Sequence, residues 1–339
     1  MIGIRADANE IIATGHVMRC IAIAQQLKQL KQEFVFIVAD QFTTKFLSKR
    51  GYNSICLNTS WENKDSEIEV IVKCIKDNAI EKLIVDSYQV TRFYLENLQK
   101  HTKVIYIDDL NKFEYPVDML INYALIVDGN KYKYLNKNVL QLLGGEYTPL
   151  REEFQNNKIK IKNSVLNVLI TTGGSDHLCI IEKLVKKIID AKIYRNIKFH
   201  IVVGAFFYNV KELEELTEKN KNIILYQHIT NMAEIMVLCD VAISAGGTTL
   251  AELSSCGLPT ICFAVADNQL DGVQMYANRE IMISVGDIRK NIVQSINEIL
   301  EWLAKLMKDK ALREKLSQKE KECIDGNGAK RIAEKVVDL

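Results

Sequence analysis

Short apolar runs alternate with stretches of helical periodicity from one end of the chain to the other. That alternation is the signature of βα units wound around a mostly parallel sheet, and it predicts an α/β fold. In the first half the predicted strands are "IGIRA" (2 to 6), "FVFIVA" (34 to 39), "SICL" (54 to 57), "KLIVD" (82 to 86), "KVIYID" (103 to 108) and "DMLIN" (118 to 122). A helix is expected to open at Gly15, with Val17, Cys20, Ile21, Ala24 and Leu27 on its apolar stripe and Gln25, Gln26 and Lys28 turned outward. The pattern dissolves over residues 145 to 164, "EYTPLREEFQNNKIKIKNS" forming a linker around Pro149. A second series follows: "VLNVLITTGG" (165 to 174), "IKFHIVVG" (197 to 204), "NIILYQH" (222 to 228), "VAISAGG" (241 to 247) and "PTICFAV" (259 to 265). The expected organisation is a Rossmann-like domain over 1–150, a linker over 151–164, and a second Rossmann-like domain over 165–339 ending in a helical tail. The tail carries charges of both signs, "EKLSQKEKEC" being typical, and reads as a solvated helix face without chemistry.

A chain of 339 residues is long enough for two full cores. Its 44 Lys and Arg against 43 Asp and Glu leave a net charge of +1, which supplies no basic field for phosphate backbone and argues against nucleic acid as a partner. Eight cysteines stand apart, with no Cys-x-x-Cys pair, and read as reduced thiols of a cytoplasmic protein. No segment has the length of an apolar membrane span and no secretory leader pattern is visible, so a soluble protein without membrane insertion is expected. The oligomeric state is not legible.

Three strand-to-helix turns are rich in small residues: "ATGH" (13 to 16), "TTGGSD" (171 to 176) and "SAGGTT" (244 to 249). Each falls at the carboxyl edge of its sheet, where open sheets bind ligands, and glycine with first-turn N–H groups suits an anion. None matches the Walker pattern or a full dinucleotide fingerprint. Taken singly, a tight turn capped by Ser or Thr explains each equally well; two in one domain, with hydroxyls at Ser175 and Thr248, point to a phosphate. Glu252 lies about one turn into the following helix, at reach of a vicinal diol, and Asn268 and Gln269 follow the next strand. Taken alone, each fits an ordinary surface residue; their joint position around one glycine turn points instead to a ligand contact.

With these residues in place, the motifs "TGHVMRC", "VDSYQV", "IDDL", "GGEYTPLREEF", "TTGGSD" and "SAGGTTLAELSSCGLPT" with its later "NQ" resemble, in order and spacing, the nucleotide-sugar hydrolases of pseudaminic acid synthesis. These act on UDP-2,4-diacetamido-2,4,6-trideoxy-β-L-altropyranose and are relatives of the GT-B glycosyltransferases. The resemblance runs from residue 2 to about 270, and "GHVMRC" is its most specific part. It implies a GT-B architecture, two Rossmann-like domains with parallel sheets facing a central cleft, UDP in the C-terminal domain and the sugar in the N-terminal one. It also implies metal-independent, inverting hydrolysis without a cofactor. By motif, His16 matches the catalytic histidine, Tyr88 the tyrosine lining the sugar site, Glu252 and Asn268 the substrate contacts, and Gly173 and Gly174 a phosphate or sugar loop. Gly15, Ser175, Gly246, Gly247, Thr248 and Gln269 complete the expected UDP-sugar site. Ala13 and Ser87 depart from the family's usual glycine and histidine.

UDP is a good leaving group, so the chemical demand falls on a base for water, and imidazole suits that task near neutral pH. At a helix N-terminus the dipole disfavours the charged ring. Read alone, a histidine behind a glycine more often caps or packs. His177 is the reserve candidate; His101, His200 and His228 fit structural positions. Asp108 with Asp109 offers a minor metal alternative. Competing functions are a GT-B glycosyltransferase using a UDP-amino sugar, a UDP-sugar epimerase, and a nucleotide-sugar-binding sensor. The segment "FTTKFLSKRGY" (42 to 52) is the one candidate for a membrane-docking patch.

Overall fold

A computed structural model describes residues 1–9, 11–12, 14–108, 110–125, 138–204, 207 and 210–339. Two of the sequence expectations, Ala13 and Asp109, lie outside the described residues. The chain divides into two compact units, one of Met1–Glu152 with Gly326–Leu339, the other of Glu153–Asp325.

In the first unit β1 (Ile2–Ala6), α1 (Gly15–Gln29), β2 (Phe34–Val38), α2 (Gln41–Ser48), β3 (Ser54–Cys56), α3 (Ile68–Asp77), β4 (Lys82–Asp86), α4 (Arg92–Gln99), β5 (Lys103–Ile107), β6 (Met119–Asn122) and β7 (Leu140–Leu143) follow one another. The strands form a parallel sheet in the order β3-β2-β1-β4-β5-β6-β7. The order reverses between β1 and β4, and the first crevice of such a sheet opens at that point. Their continuous Ile, Val and Leu runs are buried because helices cover the sheet. β7 was not expected: it is an edge strand with Leu140 and Gln141 exposed, so it lacks the apolar run that betrays a central strand.

The second unit runs β8 (Asn167–Thr171), α5 (Ile180–Asp190), β9 (Lys198–Val202), α6 (Val210–Lys219), β10 (Ile223–Tyr226), α7 (Met232–Leu238), β11 (Val241–Ala245), α8 (Thr249–Cys256), β12 (Thr260–Ala264), α9 (Asp267–Asn278), β13 (Ile283–Asp287), α10 (Ile292–Lys308) and α11 (Lys310–Cys323). Its sheet is parallel in the order β10-β9-β8-β11-β12-β13, with the reversal between β8 and β11. β13, also at an edge and only half-buried, escaped the sequence reading for the same reason as β7.

Three sequence expectations need correction. The tail does not belong wholly to the second domain: α12 (Gly328–Asp338) lies in the first unit. Ile332, Ala333 and Val336 fall at helical spacing and join the apolar cluster of α1, and Lys82 Nζ donates to the Val337 carbonyl at 2.7 Å. Gly328 starts α12 because an added Cβ would stand 2.2 Å from the Thr148 carbonyl oxygen. Nor is α11 a purely solvated face. Arg313, Ser317 and Glu320 are buried, and Arg313 Nη2 donates to the carbonyls of Lys162 and Asn163 at 2.8 and 3.1 Å. Finally, the expected linker is largely integrated: Phe154 is fully buried, the Ile159 N–H donates to Cys256 O at 3.0 Å, and Lys158 Nζ donates to Ser255 O at 2.6 Å. Sheltering of α1 by α12 also explains why Gln26, expected outside, is buried.

Beneath the end of β1 sits a closed charged set. Arg5 forks onto Glu67 at 2.8 Å by each nitrogen and reaches Asp7 at 2.7 Å; Lys64 meets Asp7 at 2.6 Å and the Tyr94 hydroxyl donates to Glu67 at 2.8 Å. Burial raises the Asp7 carboxyl, but Arg5 and Lys64 outweigh it and hold the group well below the usual carboxylate range. Two positive and two negative charges are thereby matched where β1 leaves the sheet. Residues 42 to 48 of the segment 42 to 52 lie in α2, an ordinary amphipathic helix capped by Asp40, whose side chain accepts from the Thr43 N–H at 2.8 Å.

Candidate functional site

The crevice between β1 and β4 carries the first unit's chemistry. α1 follows β1 in the chain and opens at Gly15, so His16 stands in its first turn at the carboxyl edge of the sheet. Its ring is turned toward the end of β4, where Nδ1 lies 2.7 Å from Asp86 Oδ1. Asp86 is 1% exposed and His16 7%, so water competes weakly for the bond. Burial pushes the Asp86 carboxyl up, yet the Arg19 guanidinium and the His16 ring more than offset this and hold it at about 2. An ionised carboxylate only accepts, so the 2.7 Å contact to Asp86 calls for a proton on Nδ1 and a lone pair on Nε2, and it takes precedence over the longer 2.9 Å approach of the Arg19 Nη2 donor to the same nitrogen. Nε2 makes no hydrogen bond among the described residues.

Tyr88, two residues beyond β4, packs edge-on against the His16 ring with centroids 4.6 Å apart. It is 39% exposed rather than a core tyrosine, and such an aromatic contact contributes about 0.5–1.5 kcal/mol to holding the ring. Gly15 opens α1 with empty space around it; no steric demand for glycine exists there. Arg19 and Asp86 were not singled out as site residues. The signal was present: Arg19 and Cys20 fall three and four residues after His16, on its helix face, and Asp86 closes a buried strand at the ligand edge.

The second unit gathers the other expected residues at its own switch point, between β8 and β11. After β11, Gly246 donates to Phe263 O at 2.8 Å, and an added Cβ would lie 2.3 Å from Val273 Cγ2 and 3.2 Å from Gln269 Cβ, so only glycine fits. Gly247 and Thr248 are exposed at the start of α8, and Thr248 caps that helix without a side-chain bond. Glu252 follows one turn on, half-buried, and Asn268 is exposed in the first turn of α9. Gln269 differs from expectation: its Oε1 accepts from the Val265 N–H at 2.9 Å, which commits that oxygen to the backbone.

The turn after β8 also differs. Gly173 takes a φ of +80°, its N–H donates to Thr171 Oγ1 at 3.1 Å, and Thr172 Oγ1 donates to the Ser175 carbonyl at 3.0 Å. Gly174 is exposed, and the loop approaches Gly204 so closely that a Cβ there would stand 2.4 Å from the Gly173 carbonyl oxygen. The following helix does not present free donors: both oxygens of Asp176 accept from the Ile180 and Ile181 N–H groups at 2.9 Å. A carboxylate already occupies the position an anion would take.

Elsewhere, His200 bonds Tyr226 and Asn167 at 3.0 Å from its two nitrogens, a packed residue as expected, and burial lowers its affinity for a proton. His177 is exposed on the loop before α5. Asp108 accepts from the Leu110 and Asn111 N–H groups and from Tyr115, so its carboxylate is committed to a turn. No helix among the described residues is long and apolar enough to cross a membrane.

Two α/β units, each with a parallel sheet reversed at a switch point, define the GT-B class of fold. Within it the chain belongs to glycosyltransferase family 28, whose C-terminal domain model matches residues 167–336. It superposes on the Acinetobacter baumannii MurG with a TM-score of 0.71 at 14% identity, covering 100% of this chain and 99% of that one. It is 23% identical to the spore coat polysaccharide biosynthesis protein SpsG of Bacillus subtilis over 100% of this chain and 98% of that protein. It is 26% identical, over 76% of its length, to a Helicobacter pylori protein named pseudaminic acid cytidylyltransferase and UDP-2,4-diacetamido-2,4,6-trideoxy-β-L-altropyranose hydrolase. The match spans only 43% of the Helicobacter protein, and 54% of an uncharacterized Methanocaldococcus jannaschii relative that is 26% identical.

Proposed function

We propose that the chain hydrolyses a UDP-linked diacetamido-trideoxy hexose at its anomeric carbon, releasing UDP and the free sugar with inversion, as in pseudaminic acid-type synthesis. The observation that carries the reading is the 2.7 Å bond from His16 Nδ1 to Asp86, which leaves Nε2 to act as the base. In the step, Nε2 takes a proton from water as the water oxygen bonds to C1. The C1–O bond to the diphosphate breaks and its electron pair leaves with UDP. Asp86 stabilises the imidazolium so formed, and Tyr88 holds the ring and faces the sugar. In the second unit, backbone N–H groups about Gly246, Gly247 and Thr248 meet the charge that develops on the leaving diphosphate, a fixed electrostatic contribution. Glu252 takes the ribose diol and Asn268 a sugar contact. The reading assigns neither metal nor cofactor to the step and places it in the cytoplasm. It is supported by the name of the Helicobacter relative and by the motif resemblance around His16.

The second reading is a glycosyltransferase, in which an acceptor hydroxyl replaces water; the family match and the polysaccharide role in the name of the Bacillus relative favour it. Purified protein incubated with UDP-2,4-diacetamido-2,4,6-trideoxy-β-L-altropyranose and its gluco isomer, without acceptor, separates the two. Rapid UDP release supports hydrolysis, and release only on adding an acceptor supports transfer. His16→Ala is expected to lower turnover about 100- to 10,000-fold while UDP affinity by calorimetry stays nearly unchanged. Equal loss of both removes His16 from the role of base.

A further inference from the structure

We propose that Arg19 is a positioning residue that supplies the permanent positive charge Asp86 requires, and thereby leaves His16 uncharged and able to accept a proton. The proposal rests on the reading of His16 as a base. Residues 16, 19 and 20 share one face of α1, and all three side chains converge on Asp86. Arg19 forks onto the carboxylate, Nε to Oδ2 and Nη2 to Oδ1, while Nη2 also lies 2.9 Å from His16 Nδ1. Its third nitrogen, Nη1, donates to the Tyr123 hydroxyl, and the guanidinium carbon stands 5.3 Å from the centre of the Tyr123 ring. The Cys20 thiol approaches Asp86 Oδ2 at 3.7 Å, and burial keeps it protonated.

A carboxylate wholly out of water needs a cation beside it. Two groups here are able to provide one. Histidine does so only by binding the proton it is meant to accept from water, whereas arginine is charged at every working pH. The fork gives Asp86 its counter-charge through both oxygens, and Tyr123, immediately beyond β6, fixes the guanidinium in that plane. The groups facing the ring are then Asp86 at the end of β4, Arg19 and Cys20 from α1, Tyr88 beyond β4, and Tyr123 through Arg19. Deleting the arginine charge leaves His16 as the sole cation available to Asp86 within this set.

The test is the titration of the His16 ring, read by NMR on protein carrying ¹⁵N-labelled histidine, with His16→Gln to assign the signal. In Arg19→Gln the ring is expected to hold its proton to a pH about 1 to 2 units higher than in the wild type, the range of a neighbouring charge. UDP release should fall about 3- to 25-fold near pH 7 and recover toward pH 9, the acid limb moving with the ring. Arg19→Lys, which keeps the charge but not the fork, should lie between the two. Identical ring titration in wild type and Arg19→Gln overturns the proposal, as does a loss of turnover equal at every pH. Should Arg19→Gln fail to fold, Arg19→Met, which keeps an unbranched stem without the charge, decides, and wild-type titration in that variant overturns it. The ring signal is readable with or without turnover, so a wild-type protein that releases no UDP defeats the catalytic reading separately.

Discussion

Replacing Asp86 by Asn keeps the shape of the side chain and removes its charge. Holding the carboxyl at about 2, where an aspartate ordinarily titrates near 3.8, corresponds to about 2 kcal/mol in favour of the charged form over the neutral one. An amide mimics the neutral form, so Asp86→Asn is expected to destabilise the chain by about that amount at neutral pH. Because the folded group is more acidic than in the unfolded chain, its contribution is complete above about pH 4 and is lost as pH falls toward 2. Urea unfolding should therefore show a constant gap between variant and wild type from pH 7 to 5 and a shrinking one below pH 4. Turnover should suffer more than stability: the amide no longer fixes the proton on His16 Nδ1 or stabilises the imidazolium. A fall of about 1,000-fold, or about 4 kcal/mol of barrier, is expected in UDP release. A folded variant within tenfold of wild-type turnover refutes the orienting role, and a stability gap that widens below pH 4 refutes the charge argument.

Two further outcomes follow from the helical tail. Glu320 is fully buried, and burial pushes its carboxyl well above the usual range, further than its contacts with Thr260 and the Lys321 charge pull it down. Its contribution is complete below about pH 4 and declines by up to about 1.4 kcal/mol per pH unit above it, until the group ionises within the fold. Glu320→Gln should remove that decline, so denaturation midpoints of variant and wild type diverge in the variant's favour from pH 4.5 to 8; parallel curves would count against it. Ile332→Ala, which opens a hole where α12 meets the α1 cluster, should cost about 2–4 kcal/mol by thermal or urea unfolding. An unchanged midpoint would mean that α12 does not hold the first unit together.

The central strands were legible because strands buried on both faces read as unbroken apolar runs, and "KLIVD" and "VAISA" can form little else. β7 and β13 stayed hidden because edge strands expose alternate residues and borrow their identity from one neighbour. The same physics explains α12. Its apolar stripe is short and flanked by lysines, and only the complementary face of α1, more than 300 residues earlier, gives it a place to pack. At the site, residue type alone did not separate ligand contacts from caps. Asp176 and Gln269 present the oxygens that a ligand contact would use, and both spend them on backbone N–H groups of their own loops and helices. Asp86 was missed for the converse reason, since an aspartate closing a strand usually serves the turn that follows. Here it serves a histidine 70 residues away in sequence.

The placement of α12 bears on how this molecule is made. Translation delivers the whole second unit before the segment from Gly326 onward leaves the ribosome, so the first unit waits with part of its interior open. The helix that carries His16 is the element left uncovered. The second unit is thus an insertion within the first, and the helix that carries the imidazole is covered only after that insertion has been made.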